Sequence, residues 1–454
     1  MKNERVFMAD LEGLKNELLH YIQQKQYDHV IAAIQQLNYA DQARFIQQFD
    51  VQQQVELLSR LEHQGLVFEF YPFQLQKQLI EHFPEHQQIL VLDDMHSDDA
   101  TDLFKSLDQS DQDKIYQQLD EITQQQLRTL SVYQEESAGA IMSSDYVSLP
   151  PEFTMQQAIE ALRQQPHDRE TLYLVYITNS QAQLMGVISL RQILQADPQA
   201  TIQQVMTQDI VVGYVNEDQE SIARKLSEYD FMALPIIDEH NTLVGIVTYD
   251  DAMDVVQDET TEDFLKASAV QVEAGMSIKT APILQLYQKR VFWLVILVFG
   301  SLLSGLGISY YEDIIAAHIV LVFFLPLLVG SGGNAGSQSA TLMVRALATG
   351  DVKLKDWFFL LGRESLVALC LGGTMAFAVS ILGYIRGDAM VALVLALSMM
   401  GIVLLGCLIG MSLPFILNRL KLDPASASAP LVTSICDATG VVVYLMIASQ
   451  LLAL

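Results

Sequence analysis

The run from Val291 to Ile308, VFWLVILVFGSLLSGLGI, holds eighteen residues without a charge. About twenty apolar residues carry a helix across the hydrocarbon core of a bilayer. Inside that solvent every backbone amide must find its partner within the protein, so such a segment has to be helical or part of a closed barrel. Four more apolar stretches follow, from about Ile314 through Pro326 to Val344, about Glu364 to Ile385, Ala389 to Leu417 and Ala425 to Leu454. Five crossings leave the two ends of this region on opposite sides of a membrane. Lys289 and Arg290 precede the first crossing, Arg345, Lys353, Lys355 and Arg363 separate the second from the third, and Arg419 and Lys421 separate the fourth from the fifth. The other loops hold only Arg386, beside Glu312, Asp313 and Asp388. Basic residues stay on the cytoplasmic side of short loops, which predicts a cytoplasmic N-terminal region and a C-terminus outside the cytoplasm. The opening MKNERVFMADLEGL is polar and carries no apolar run of signal-peptide length, consistent with a cytosolic start.

Charge divides the chain at the same place. Of 26 basic and 54 acidic residues only 7 and 8 lie from Val291 onward, leaving 19 and 46 before it. A surface so acidic repels nucleic acid, whose phosphates need Lys and Arg, and gathers cations. Cys370, Cys407 and Cys436 lie in apolar segments without CxxC spacing and read as small buried residues.

The apolar region is more than an anchor. Pro326, the run Gly330-Ser331-Gly332-Gly333-Asn334-Ala335-Gly336-Ser337-Gln338-Ser339, and Pro414 predict irregular backbone at membrane depth, lining a wet cavity. Close packing of helices through small residues is the alternative; it suits Gly372 and Gly373 but does not account for Asn334 and Gln338, four residues apart on one helix face. Asp437, in LVTSICDATGVVVYLMIA, is the one ionisable residue deep in the fifth stretch, and a residue so costly there is a functional candidate by default. It could instead be protonated and bonded to Thr433 or Thr439. With Ser434, Ala438, Thr439 and Gly440 around it, it is suited to face water and a hydrated hard cation such as magnesium, which prefers oxygen and sheds water reluctantly.

Before the membrane, Leu11 to Tyr133 is rich in Gln, Leu and Asp with apolar residues at helical spacing, which predicts a stack of short helices with the glutamines on a solvated face. His82 and His86 are interrupted by Pro84, so they do not form a transition-metal pair. An internal repeat follows. SAGAIMSSDYVSLPPEFTMQQAIEALRQ and TLYLVYITNSQAQLMGVISLRQIL are echoed by IQQVMTQDIVVGYVNEDQESIARKLSEYD and MALPIIDEHNTLVGIVTYDDAM, with Met142 matching Met206 and Gly186-Val187-Ile188-Ser189 matching Gly245-Ile246-Val247-Thr248. Each copy predicts strand, helix, strand, an Asn turn, strand and a short helix. From Asp254 to Arg290 a long helix is expected, acidic at its start and basic at its end.

The repeat resembles a tandem pair of CBS modules, a family that often binds adenine nucleotides. In that family the phosphate-side hydroxyl and the ribose carboxylate fall in a Thr/Ser-x-x-Asp step. Here this is Thr248-Tyr249-Asp250-Asp251 in the second copy and Ser189-Leu190-Arg191-Gln192, with Gln in place of Asp, in the first. The resemblance thus implies at most one good ATP-type site, using Thr248 and Asp251, with Arg191 towards phosphate and Phe231, Ala233 and Pro235 around the base; a purely structural pair is the alternative.

With PLLVGSGGNAGSQSATLMVRALATGD, the Asp437 segment, ESAGAIMSSDYVSLP and this domain order, the whole chain resembles the MgtE family of magnesium channels. The resemblance implies a multi-domain membrane protein: a cytoplasmic all-α superhelical domain (1–134), an α/β tandem CBS pair (135–200 and 201–256), a connecting or plug helix (257–290) and an α-helical transmembrane pore domain of five spans (291–454). It further implies a homodimer in a bacterial inner membrane, magnesium held at Asp437, a pore lined by Asn334, Gln338, Thr433 and Thr439, and closure when cytosolic magnesium binds the acidic domains. By motif the sensing acids would be Asp94, Asp98, Asp230, Asp251, Glu262 and Asp263, with Asp93, Asp99 and Asp250 leaving the register open by a residue. A CBS-regulated transporter for cobalt or manganese, or an ion-coupled carrier, would share this fold. Softer metals recruit His or Cys, and His318 is the only histidine of the membrane half. A membrane-embedded enzyme would need a paired acid, Ser-His or zinc motif, which the spans do not show.

Overall fold

The computed structural model describes residues 4–165, 171–269 and 282–452, with side chains from residue 13 onward in the first stretch. It forms two compact units, Met1–Asp258 and Glu259–Leu454.

In the first unit, ten helices among the described residues run from α1 (Glu4–Gln23) to α10 (Glu121–Leu130). Several start at an Asn or Asp whose side chain accepts a bond from the first turn, as at Asn38, Asp50 and Asp120. Such caps satisfy amides that a helix leaves open. The stack closes over a core that includes Leu57, Leu58, Phe68, Leu79, Ile80 and Leu92. The glutamines correct the expectation of a merely solvated face. Gln42, Gln54, Gln76, Gln88, Gln112 and Gln124 each donate to the carbonyl five residues earlier, of Leu37, Phe49, Tyr71, Phe83, Leu107 and Leu119. Gln42, Gln54 and Gln76 are buried. The device joins each helix to the turn before it, and Gln76 also takes the carbonyls of Phe68 and Glu69.

Each CBS-like copy builds the expected order. In the first, β1 (Ser148–Leu149) is followed by α11 (Met155–Arg163), β2 (Leu174–Thr178), β3 (Leu184–Ser189) and α12 (Leu190–Gln195). After α13 (Ile202–Val205), the second has β4 (Gly213–Tyr214), α14 (Gln219–Glu228), β5 (Ala233–Ile237), β6 (Leu243–Thr248) and then α15 (Tyr249–Ala267). In both three-stranded sheets the first strand is parallel to the second and the third antiparallel. The copies exchange segments. A Cβ on Gly245 would meet Met142 Sδ at 2.7 Å, and one on Gly186 would meet Met206 Sδ at 2.5 Å. Ser143 pairs with Ile246 and Thr207 with Val187. Neither sheet closes its core without the other copy's lead-in segment, which is why the repeat is a unit of two.

The helical stack is seated on this pair through α8 (Ser97–Lys105). The Asp145 carboxylate accepts from the Ser97 amide at 3.0 Å and from Gln126 at 2.9 Å, and Ser144 N donates to Ser97 Oγ at 2.8 Å.

In the second unit, α16 (Ile283–Tyr310), α17 (Glu312–Ala317), α18 (Val320–Ala348), α19 (Trp357–Arg386), α20 (Ala389–Arg419) and α21 (Ala429–Leu452) follow in order. Among the described residues five helices are long and apolar enough to cross a membrane. The first starts earlier than Val291 and contains Lys289 and Arg290. Of the helix expected over Asp254–Arg290, α15 covers the part to Ala267, α16 the part from Ile283, and residues 270–281 lie outside the described residues. The second stretch breaks at His318 between α17 and α18.

The expected irregular backbone is not there. The helix α18 runs unbroken through Pro326 and the whole glycine-rich run, and α20 runs unbroken through Pro414. Small-residue packing is the reason. A Cβ on Gly410 would lie 2.0 Å from the Gly336 carbonyl oxygen, and one on Gly406 would lie 2.5 Å from that of Gly332. The two helices meet backbone to backbone through facing GxxxG steps, as small residues allow where lipid supplies no hydrophobic drive. Gly372 packs likewise on Met400, whereas Gly373 faces no neighbouring atom within 4 Å. Buried Tyr444 of α21 donates to the Leu321 carbonyl of α18 at 3.0 Å.

Candidate ion path and candidate sensing and nucleotide sites

Asp437 sits in the middle of α21, half-buried, against the glycine-rich part of α18. An added Cβ at Gly333 would be 3.3 Å from Asp437 Oδ1 and 2.9 Å from Thr433 Cγ2, so only glycine lets α18 pass this close. One turn along, Ser337 Oγ lies 3.1 Å from Thr433 Oγ1 and donates to the Ala429 carbonyl at 3.3 Å. Thr439 Oγ1 donates within its own helix to Ile435 at 2.9 Å. Neither threonine hydroxyl is thus spent on the aspartate, which leaves the carboxylate for an outside ligand. Asn334 and Gln338 do share one exposed face of α18, beside the positions that touch α21. Gly333, Thr433, Ser337 and Asp437 therefore form one polar wall, with Asn334 and Gln338 at its edge and Thr439 a half-turn beyond the acid. A carboxylate with carbonyls and hydroxyls near it can hold the water shell of a hard cation.

A second acid, Glu364 on α19, escaped the reading of the sequence because it fell at the expected start of the third span. Its carboxylate accepts from buried Ser339 of α18.

In the first unit the acids gather around α8. Asp98 and Asp99 occupy its first turn. Crowding by protein atoms, then the charges of Glu69 and Asp251, push the Asp99 carboxyl well above the usual range. Burial lifts Asp251 to about 6 against the bond it accepts from Thr248, and lifts Asp102 to about 6 as well. Burial and mutual repulsion also raise Asp254, which feels Asp258 and Asp250. Of the expected sensing acids, Asp98 and Asp251 share this region. Asp94, at the end of α7, accepts the Gly65 amide at 2.7 Å, and Asp230 is exposed with left-handed backbone at φ 54°. Glu69 and Asp102 were not singled out from sequence; isolated acids in a soluble helical stack carry no spacing signal.

In the second unit, Lys266 of α15 bridges Glu262 and Asp423, both at 2.6 Å. Burial, then Asp423, raises the Asp263 carboxyl, although Lys266 opposes the shift. Asp423 is the missed member here, an acid before Pro424 that also caps the turn leading into α21. Among the described residues no group of three His, Cys, Asp or Glu side chains is already arranged to hold a metal.

A cavity of about 770 Å³ opens between the two CBS-like copies, lined by Tyr173, Ser189, Leu190, Arg191, Leu194, Asp230 and Phe231. Arg191 and Phe231 both line it. The Thr248 and Asp251 pair does not line it, being hydrogen-bonded together, and Ala233 and Pro235 are buried in β5. This cavity borders the Ser189 copy, whose Gln192 is spent capping α12 with Ser189.

Residues 325–447 match the family described as MgtE, divalent cation transporter, residues 37–136 match the MgtE intracellular N domain, and residues 138–198 and 202–258 match the CBS domain. The magnesium transporter MgtE of Thermus thermophilus is 39% identical over 330 residues, covering 73% of each chain. That of Bacillus subtilis is 34% identical over 71% of each. Among solved structures, the soluble part of a magnesium transporter matches with TM-score 0.52 and 29% identity, over 55% of this chain and 99% of that one. The cytosolic domain of the Mg2+ channel MgtE in complex with ATP matches with TM-score 0.50 and 27% identity, over 52% and 98%.

Proposed function

We infer the function from one fact about the chain: it belongs to the MgtE family of magnesium transporters, a transport family and not an enzymatic one. The chain is a multi-pass membrane protein that carries magnesium. Its finer mechanism we propose as follows. Magnesium passes as a hydrated ion along the wall of α18 and α21, with the Asp437 carboxylate as the charge that selects it and Thr433, Thr439, Asn334 and Gln338 contacting its water. The observation that carries this reading is the Asp437 carboxylate, held against Gly333 with neither neighbouring threonine turned to it. A homodimer would set two such acids around one pore.

The domains are assigned as 1–134, 135–200, 201–256, 257–290 and 291–454, in an inner membrane with the N-terminus cytoplasmic. Cytosolic magnesium acts as the closing signal. Asp98, Asp99, Asp102, Asp251 and Glu69 crowd charge in the first unit, and Glu262, Asp263 and Asp423 do so in the second. Divalent ions neutralise this repulsion and favour the arrangement in which the acids stay close. A shift from mostly open to mostly closed needs roughly 5.5 kcal/mol of differential binding, within reach of several weak sites together. The Arg191 and Phe231 cavity would take an adenine nucleotide, its phosphates at Arg191.

The test is flux into proteoliposomes read with a magnesium-sensitive dye. Asp437→Ala is expected to assemble normally and to lose magnesium flux. Normal flux in that variant would remove Asp437 from the path, and flux of cobalt or manganese in place of magnesium in the wild type would overturn the substrate.

A further inference from the structure

Glu364 is an acid within a candidate membrane span, about two turns from the start of α19. A carboxyl group at such a depth is costly unless something engages it. Here the partner is the hydroxyl of Ser339, a buried residue of α18, and the Cys407 thiol of α20 abuts the same pair. Three helices therefore meet at one polar contact.

The position of Ser339 gives the contact its consequence. On one side of α18, Gly332 and Gly336 touch the backbone of Gly406 and Gly410 of α20. On another, Gly333 and Ser337 form the wall with Asp437 and Thr433 of α21. Glycine contacts are close but smooth, and they fix distance better than they fix sliding along the axis. Hydrogen bonds of Ser337 to Ala429 and Thr433 and of Tyr444 to Leu321 tie α18 to α21, and the bond from Ser339 ties it to α19 as well; together they hold α18 in axial register, and with it the height of Gly333 and Ser337 against the Asp437 carboxylate.

We propose that Glu364 is a positioning residue for magnesium permeation, acting through Ser339 to hold α18 in register with the Asp437 wall, and that the acceptor oxygen rather than the charge is what permeation requires. Glu364 does not touch the ion. The inference rests on the ion path at Asp437.

The experiment uses the full-length protein in proteoliposomes, with magnesium and calcium fluxes measured on the same preparations. Glu364→Ala and Ser339→Ala each remove the bond and are expected to lower the magnesium-to-calcium flux ratio severalfold. Glu364→Gln keeps a carbonyl acceptor and is expected to restore the ratio. A fold defect alone would reduce both fluxes together and leave the ratio where it was. The proposal is overturned if Glu364→Gln fails as Glu364→Ala does, or if Ser339→Ala keeps the wild-type ratio; the serine variant keeps the test open if the glutamate variant does not assemble. Asp437→Asn, measured alongside, separates the two readings. Normal flux in Asp437→Asn removes the ion path, whereas an inert Asp437→Asn with a wild-type Glu364→Ala removes only the role of Glu364.

Discussion

Replacing Gly410 by alanine adds one methyl group at the tightest helix contact of the membrane unit. The new Cβ would lie 2.0 Å from the Gly336 carbonyl oxygen, with the Gly336 carbonyl carbon at 2.7 Å and Cα at 3.0 Å. These are backbone atoms, which cannot rotate aside as a side chain would. Reaching ordinary contact requires α18 and α20 to separate by about 1.4 Å along that line, and a gap of even 0.5–1 Å forfeits roughly a quarter to a half of each dispersion contact. Overpacking of this kind costs about 1–3 kcal/mol, while alanine regains about 1 kcal/mol over glycine in a helix interior. A rigid backbone obstacle puts the cost at the upper end, so the net loss is about 1–2 kcal/mol. Gly362→Ala is the matched control: no atom lies within 4 Å of its Cβ, so only the helical gain remains. The assay pairs thermal unfolding of detergent-solubilised protein, followed by size-exclusion chromatography, with dye-reported magnesium flux. Gly410→Ala is expected to melt several degrees below wild type and to lose flux, since Gly333 and Ser337 ride on the displaced helix, and Gly362→Ala is expected to match or exceed wild type. A Gly410→Ala protein with wild-type melting and flux would refute the backbone-to-backbone packing of α18 on α20.

Gln76→Ala strips three carbonyls, of Phe68, Glu69 and Tyr71, of one buried donor; a loss of about 1–3 kcal/mol is expected, read by urea unfolding of the first unit. Because Asp251 and Asp102 are lifted to about 6 and Asp99 is lifted too, the folded state holds more protons than the unfolded one between about 4 and 6. Without magnesium, stability of the acidic unit should therefore fall as pH rises through that window, and the protection from proteolysis given by magnesium should be larger at pH 7.5 than at pH 5.5; equal protection at both would count against these acids as the sensors. Arg191→Ala should weaken ATP binding by about tenfold, as for one lost charged hydrogen bond, while Thr248→Ala should leave it unchanged by calorimetry, since Thr248 does not line the cavity.

Much of the fold was legible because its signals are local. Long apolar runs with few charges marked the spans, and the repeat around Met142 and Met206 gave both copies their strand order. The Asp437 candidate needed only its rarity among apolar neighbours. The glycine-rich run was legible as unusual but not in its meaning: irregular backbone and tight packing leave the same residues in a sequence, and only the approach of Gly410 to Gly336 separates them. The glutamines misled for a similar reason, since a donor to a carbonyl five residues back and a solvated side chain have the same composition.

By itself the sequence determined which segments are apolar enough to cross a membrane, which repeat is a pair, and that most of the acids precede the apolar half, since burial cost and periodicity act residue by residue. Only the tertiary structure decided which acids share a neighbourhood: Asp99 with Glu69 and Asp251, Asp263 with Asp423 across Lys266, and Glu364 with Ser339. It also brought Arg191 and Phe231, far apart in the chain, to the wall of one cavity. Electrostatic and hydrogen-bond energies depend on distances between residues far apart in the chain, and those distances are set by helix packing, which no local pattern records.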